Sequence, residues 1–129
     1  MPLAVENDKI AVAEKTFGFA FPRAWRRMLQ QTNGGDFHRD GEDWTIHPVW
    51  DDGDRKRMGR TANHVLVETE QAKKWAGFPQ SGVAIANNGH GDLLVALPGS
   101  LSVHRWDHEE CLLEDIGDLD PSQCETRRD

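Results

Sequence analysis

The chain has 129 residues, a length that suits one domain with one hydrophobic core. Apolar residues make up 37% of it and charged residues 29%, and the mean hydropathy is −0.68, as expected of a soluble protein. No stretch approaches the roughly 18 apolar residues of a membrane span. The net charge of −7 disfavours direct binding to nucleic acid, because phosphate repels an acidic protein.

The N-terminal residues and the cysteines predict the compartment. The first 15 residues lack the basic start and the continuous apolar run of a signal peptide, so we expect a cytoplasmic protein. Cys111 and Cys124 form no CxxC motif and no zinc-binding pattern. Because disulfides are rare in the cytosol, we expect both thiols to be reduced.

Negative charge is concentrated in two segments. Residues 36–54 contain seven acids and one base, and residues 104–129 contain nine acids and three bases, so each segment carries −6. The rest of the chain is mildly basic. Two interpretations stay open: solvated loops with a frayed tail, or a surface that attracts a basic partner at long range.

Two helices are predicted at the start of the chain. Ile10, Ala13 and Phe17 have helical spacing, and Gly18 follows as a stop. A second helix begins near Pro22 and ends before the Asn-Gly-Gly sequence at 33–35. Its apolar stripe is expected to contain Trp25, Met28 and Leu29.

The middle of the chain predicts a strand, a loop and a third helix. Alternation over residues 44–46 predicts the strand, which Pro48 ends. Residues 51–60 have no period and are expected to form a mobile loop. Residues 61–77 predict the third helix, on whose apolar stripe Trp75 is expected to be a core residue.

The last third predicts a β-meander. Strands are expected at 83–86, 93–97 and 101–106, joined by turn-rich segments. Helices first and strands last predict an α+β fold, a single domain with an antiparallel or mixed sheet flanked by helices. We place that domain at residues 5–117, followed by a polar, flexible tail at 118–129.

Sequence motifs for catalysis or metal binding are weak. The sequence NGHGD at 88–92 precedes a strand, where a phosphate-binding loop requires a helix, so a hairpin turn is the better interpretation. His104 and His108, with His90 and Asp92, leave open a metal-dependent or small-ligand module, although their spacing falls on a strand end. No GxSxG motif is present, and the carboxylates cluster in expected loops, so we expect no enzymatic activity, no cofactor and no resident metal.

The order of several motifs resembles a known family. These motifs are the helix ending at Phe17-Gly18, the Phe21-Pro22 link into a Trp-bearing helix, the segment IANNGHGDLL at 85–94, and VHRWDHE at 103–109. In this order they resemble the SUKH superfamily, which includes the yeast cell-wall-assembly and killer-toxin-resistance regulators. The resemblance covers residues 5–117. Many members close with a further amphipathic helix, which residues 118–129 are too polar to supply, so a truncated helix and an open flank stay as alternatives.

This resemblance implies a function in binding. Bacterial members resemble immunity proteins that neutralise secreted toxins, commonly nucleases, so a cognate toxin protein is the expected partner, with neither nucleic acid nor a membrane bound directly. The alternative is an interaction or regulatory scaffold unrelated to toxins. The resemblance also implies that certain residues shape the scaffold turns, namely Gly34, Gly35, Gly89, Gly91 and Asp92.

Acidic residues near an exposed aromatic are the expected contacts with a basic toxin. Trp50 adjoins two aspartates, and an aromatic ringed by acids is typical of an interface hot spot, although a plain loop anchor has the same pattern. Binding through these charges should weaken at high salt. The predicted contact residues are Asp36, Trp50, Asp51, Asp52, Asp54, Asp107 and Glu109.

Overall fold

Helices and strands follow one another along the described part of the chain, which comprises residues 7–39, 41–100, 102–117 and 125–126 of a computed structural model. The helices are α1 (Asn7–Phe17), α2 (Arg23–Gln31), α3 (Arg55–Arg60) and α4 (Val65–Ala72). The strands are β1 (Asp36–Arg39), β2 (Glu42–Ile46), β3 (Val83–Asn87), β4 (Leu93–Ala96), β5 (Val103–Asp107), β6 (Leu112–Gly117) and β7 (Glu125–Thr126). The predictions for Leu101, Cys124 and most of the tail 118–129 fall outside these residues.

All described strands join one sheet with the order β6-β5-β4-β3-β2-β1-β7. Every neighbouring pair is antiparallel, so the predicted α+β class is confirmed. The sheet curls strongly. Nη2 of Arg39 in β1 donates to the carbonyl oxygen of Ile116 in β6 at 3.2 Å, although four strands separate β1 from β6.

The sheet separates two groups of buried side chains. Leu94 and Ala96 belong to the larger group, whereas Val95 between them belongs to the smaller one. Because alternate residues of a strand point to opposite faces, the two groups lie on opposite faces of the sheet. The larger group packs against α1 and α2, and the smaller group packs against the end of α4 and Phe78.

The predicted N-terminal helices are confirmed. Trp25, Met28 and Leu29 are buried along one side of α2, as their spacing predicted. Glu14 of α1 fixes the entrance to α2, since its carboxylate accepts the backbone N–H of Phe21 at 2.6 Å. The two helices therefore pack as one layer over the sheet.

Three predictions for the middle of the chain are wrong. Residues 51–60 contain a helix, α3, because Asp54 accepts the N–H of Arg57 and caps its first turn. The third predicted helix is shorter than 61–77, since α4 ends at Ala72. Beyond that end the chain turns, and Trp75 is 55% exposed. Trp75 is therefore a surface residue, lying edge-on to the His108 ring.

Three strands lie outside the predicted set. The segment before residue 44 forms β1, which pairs with β2 in a hairpin. The segment after Asp107 continues as β6, which pairs with β5. Two residues of the predicted tail, Glu125 and Thr126, form β7 beside β1. Within the described residues, no helix has the length and apolar character required to cross a bilayer.

Candidate partner-binding site

The exposed indole of Trp50 is positioned by the buried residue before it. Val49 is fully buried, and both of its backbone polar groups bind the side-chain amide of Asn33 at 2.9 Å. Asn33 is itself buried at the end of α2. Because this double hydrogen bond fixes the chain at Val49, the next side chain points outward, and Trp50 is 41% exposed.

Trp50 forms one wall of an apolar groove between α1 and α4. The groove encloses about 430 Å³, and its other apolar walls include Val12, Phe17 and Leu66. Val12 and Leu66 are also exposed. The ring of His64, the N-cap of α4, lies 5.5 Å from the Trp50 ring, and partial burial lowers the pKa of this histidine. The groove therefore presents a neutral, largely apolar surface.

Asp51 does not project from the surface as predicted, because it is 6% exposed. Its backbone N–H donates to the hydroxyl of Thr61 at 3.0 Å. Its carboxylate accepts the N–H of Gly53 at 3.0 Å and lies 3.5 Å from Nε of Arg57. Asp51 therefore organises the turn that leads into α3, and it offers little surface to a partner.

Asp52 and Asp54 are exposed, but both have cationic partners within the chain. Asp52 lies 2.5 Å from Nζ of Lys9, and this contact lowers the pKa of Asp52 and raises that of Lys9. Asp54 caps α3 and pairs with the guanidinium of Arg57. The backbone hydrogen bond from Arg57 is the main cause of the lowered pKa of Asp54. The acids beside Trp50 are therefore largely neutralised internally.

The remaining predicted acids lie elsewhere on the sheet. Asp36 accepts a hydrogen bond from the Thr45 hydroxyl at 2.8 Å across the β1–β2 pair. Asp107 accepts the backbone N–H groups of Glu109 and Glu110 and so closes the turn between β5 and β6. Within the described chain, no hydrogen bond or ion pair connects Asp107 or Glu109 with the residues around Trp50.

Asp92, expected to be a turn residue, is also the centre of a polar network. Its carboxylate accepts from Nη2 of Arg105 at 2.7 Å and pairs with Nδ1 of His108 at 2.8 Å. Burial raises the pKa of Asp92, but these hydrogen bonds outweigh burial and lower it overall. Arg105 also pairs with Glu42 and stacks on Trp44 at 5.3 Å.

The possible metal ligands converge only in part. Within the described chain, one group of three has its ligand atoms within 4.8 Å of one another: Asp92, Asp107 and His108. Asp92 already accepts hydrogen bonds from Arg105 and His108. His104 lies 3.9 Å from Asp115 instead. Hydrogen bonds and the pairing of opposite charges explain why these side chains lie close together.

The predicted turn glycines meet either a conformational or a steric requirement, and Gly91 meets both. Gly34, Gly89 and Gly91 have positive φ angles. At Gly91, with φ of +103°, an added Cβ would also lie 2.8 Å from the ring of His108. Gly35 has no such angle, but an added Cβ would lie 2.4 Å from the Thr32 hydroxyl. A larger side chain at either 35 or 91 would displace its neighbour.

A buried histidine that no sequence motif indicated lies beside a second cavity. His47 lines a polar cavity of about 490 Å³. Its Nδ1 donates to the carbonyl of Ala84 at 2.7 Å, so Nε2 accepts from Asn87 Nδ2 at 2.9 Å. Burial lowers the pKa of His47, so the ring is neutral. With both nitrogens occupied, this ring joins β2 to β3.

A comparison with known protein families matches residues 4–118 to the SMI1 / KNR4 family (SUKH-1). The chain belongs to this family. The match extends from α1 through β6 and confirms the resemblance drawn from the motifs. A comparison with curated proteins finds no match.

Proposed function

We propose that this chain is an immunity protein, which binds a bacterial toxin domain and neutralises it by covering the active site. Membership in the SUKH-1 family supports a protein as the partner. The observation that carries the proposal is the exposed Trp50 beside an apolar groove. The chain performs no chemistry in this account, so protection is stoichiometric.

Trp50 has the properties of a binding anchor. Large aromatic side chains dominate interface energetics when they enter pockets that exclude water. The double hydrogen bond between Asn33 and Val49 fixes the backbone beside Trp50, so little backbone entropy is lost on binding. The adjacent groove accepts an apolar side chain of the partner in return.

The charge of the molecule supports a basic toxin, as a nuclease would be. Nucleases bind phosphate through basic clefts, and the chain carries a net charge of −7. Residues 107–115 contain five acids and no Lys or Arg. Charge of this kind accelerates encounter with a basic partner and orients it before apolar contacts form.

Co-expression of this chain with the product of the adjacent gene tests the proposal, which predicts that this product is a toxin. Wild-type protein should restore growth, and Trp50→Ala should lose protection, with affinity weakened about 30-fold, as for a hot-spot residue. Trp75→Ala is the matched control, because Trp75 is also an exposed tryptophan.

The site at Trp50 would be contradicted if Trp50→Ala protected cells fully. It would also be contradicted if Trp50→Ala and Trp75→Ala lost protection equally. Absence of any toxin from the genomic neighbourhood, with housekeeping genes in its place, would favour the regulatory scaffold instead.

A further inference from the structure

The strand β6 has a free edge within the described structure. It pairs with β5 on one side, from Asp107 opposite Leu112 to Val103 opposite Gly117. It is the last strand at its end of the sheet, and no described strand lies beyond it. Such an edge presents unpaired backbone N–H and C=O groups, which are a template for another strand.

Part of β6 is already occupied by contacts within the chain. The N–H of Gly117 donates to the carboxylate of Asp115 at 2.8 Å. The carbonyl of Ile116 accepts from Arg39 at 3.2 Å. The section available for pairing is therefore Leu112–Asp115.

The side chains of this section follow a simple order. Leu112 is 58% exposed and Leu113 is 38% exposed, and they point to opposite faces of the sheet. Glu114 and Asp115 follow, one acid on each face. Each face of the edge therefore presents a leucine beside a carboxylate.

A concavity of about 330 Å³ lies against the same edge. Its acidic lining comes from Asp107, Glu110 and Glu114. Among the described residues that line it, Arg105 is the one cation, and it is already paired with Glu42 and Asp92. The concavity therefore has an excess of negative charge and suits a basic side chain.

We propose that β6 binds an extended segment of another protein as an additional antiparallel strand, and that this segment contains two basic residues followed by two apolar ones. In antiparallel pairing the incoming chain meets Asp115 first and Leu112 last, which gives that order. A second copy of this chain would bring its own acids to the edge, and like charges oppose such pairing. This inference stands independently of the proposed function.

The test uses the full chain, labelled with ¹⁵N, and the peptide acetyl-TRRVVT-amide at low salt. We expect amide chemical shifts to change along Leu112–Asp115. Two N-methylated peptides serve as controls, since methylation keeps the charge and the apolar surface but removes N–H donors. One peptide is methylated at its second and fourth residues, and the other at its third and fifth. In an antiparallel pair only alternate N–H groups of the peptide face β6, so one methylated peptide should lose binding and the other should retain it.

Charge variants provide the second arm. Glu114→Lys should weaken peptide binding about fivefold, as expected for reversing one exposed charge. Glu70→Lys on α4 makes the same change on another exposed surface and should leave affinity within about twofold.

Three results would overturn the proposal. The two methylated peptides could bind equally, or the two charge variants could lose peptide affinity equally. The chemical-shift changes could also be confined to residues outside Leu112–Asp115. Self-association of the chain that Glu114→Lys abolishes would also overturn it, since the occupant would then be a second copy.

Discussion

The buried side-chain amide of Asn33 holds the backbone beside the exposed Trp50. It supplies both a donor and an acceptor to Val49, 16 residues away in sequence. Neither backbone group of Val49 can reach water, so each needs that partner. The exposed position of Trp50 is a consequence, and this link connects the core to the proposed binding site.

Replacing Asn33 tests this link. Asn33→Ala leaves the N–H and C=O of Val49 buried without partners, so we expect the free energy of unfolding to fall by about 2–4 kcal/mol. Asn33→Asp keeps the acceptor but sets a second carboxylate oxygen against the Val49 carbonyl, so it should also destabilise the fold. Urea denaturation measures both. Equal stability of wild type and Asn33→Ala would contradict the role of the amide.

The contact between His108 and Asp92 makes stability depend on pH. The hydrogen bond to Asp92 raises the pKa of His108 above its usual 6.5. A raised pKa in the folded state means that protonated His108 stabilises the fold. This contribution is complete below pH 6.5 and is lost as pH rises through the raised pKa.

Comparison of wild type with His108→Gln isolates this contribution. We expect the wild type to be the more stable at about pH 6 and the difference to shrink by about pH 9. Thermal unfolding over that range measures it. A difference that stays constant with pH would show that His108 contributes by packing alone.

Charge alone could not predict where Asp51 lies. An aspartate among other acids is usually solvated, and its sequence neighbours gave no reason to expect burial. Its partners are Thr61 and Arg57, which approach only because α3 folds back over it. Side-chain burial of this kind depends on tertiary contacts that a single sequence does not show.

At the scale of elements, apolar periodicity predicted the buried segments and failed at the surface. α1 and α2, and β3 to β5, have stripes or runs that pack on the core. By contrast, α3 has no buried residue, and most of β6 is exposed. An element that buries few side chains has no apolar periodicity, so periodicity cannot predict it. The sequence did contain another signal for α3, since Asp54 is a favourable N-cap residue directly before it.

The cap of α3 can be tested directly. Asp54→Ala removes the acceptor for the N–H of Arg57 and should increase amide hydrogen exchange through Arg55–Arg60. The global unfolding midpoint should change little, because α3 contributes no buried side chain. Asp52→Ala removes a neighbouring exposed acid without touching the cap and should leave exchange unchanged. Equal protection in Asp54→Ala would show that packing, not the cap, holds α3.

At the scale of the whole molecule, the sequence predicted where acidic residues are concentrated. It did not predict which of them are paired with cations inside the chain. The acidic segment 36–54 loses much of its field because Lys9 and Arg57 pair with Asp52 and Asp54. The segment after Asp107 has no Lys or Arg among its next eight residues, and its glutamates remain exposed. The apolar anchor and the strongest acidic surface are therefore separate features of the proposed binding surface.

Hydrogen exchange on this chain in complex with the toxin domain that we propose as its partner tests the central claim most directly. We expect slower exchange in α1 and in the segment from Trp50 to Leu66, since these form the groove. The same segments should lose this protection when Trp50→Ala replaces the wild type under identical concentrations. Protection confined to other parts of the chain, with α1 and residues 50–66 unchanged on binding, would contradict the account.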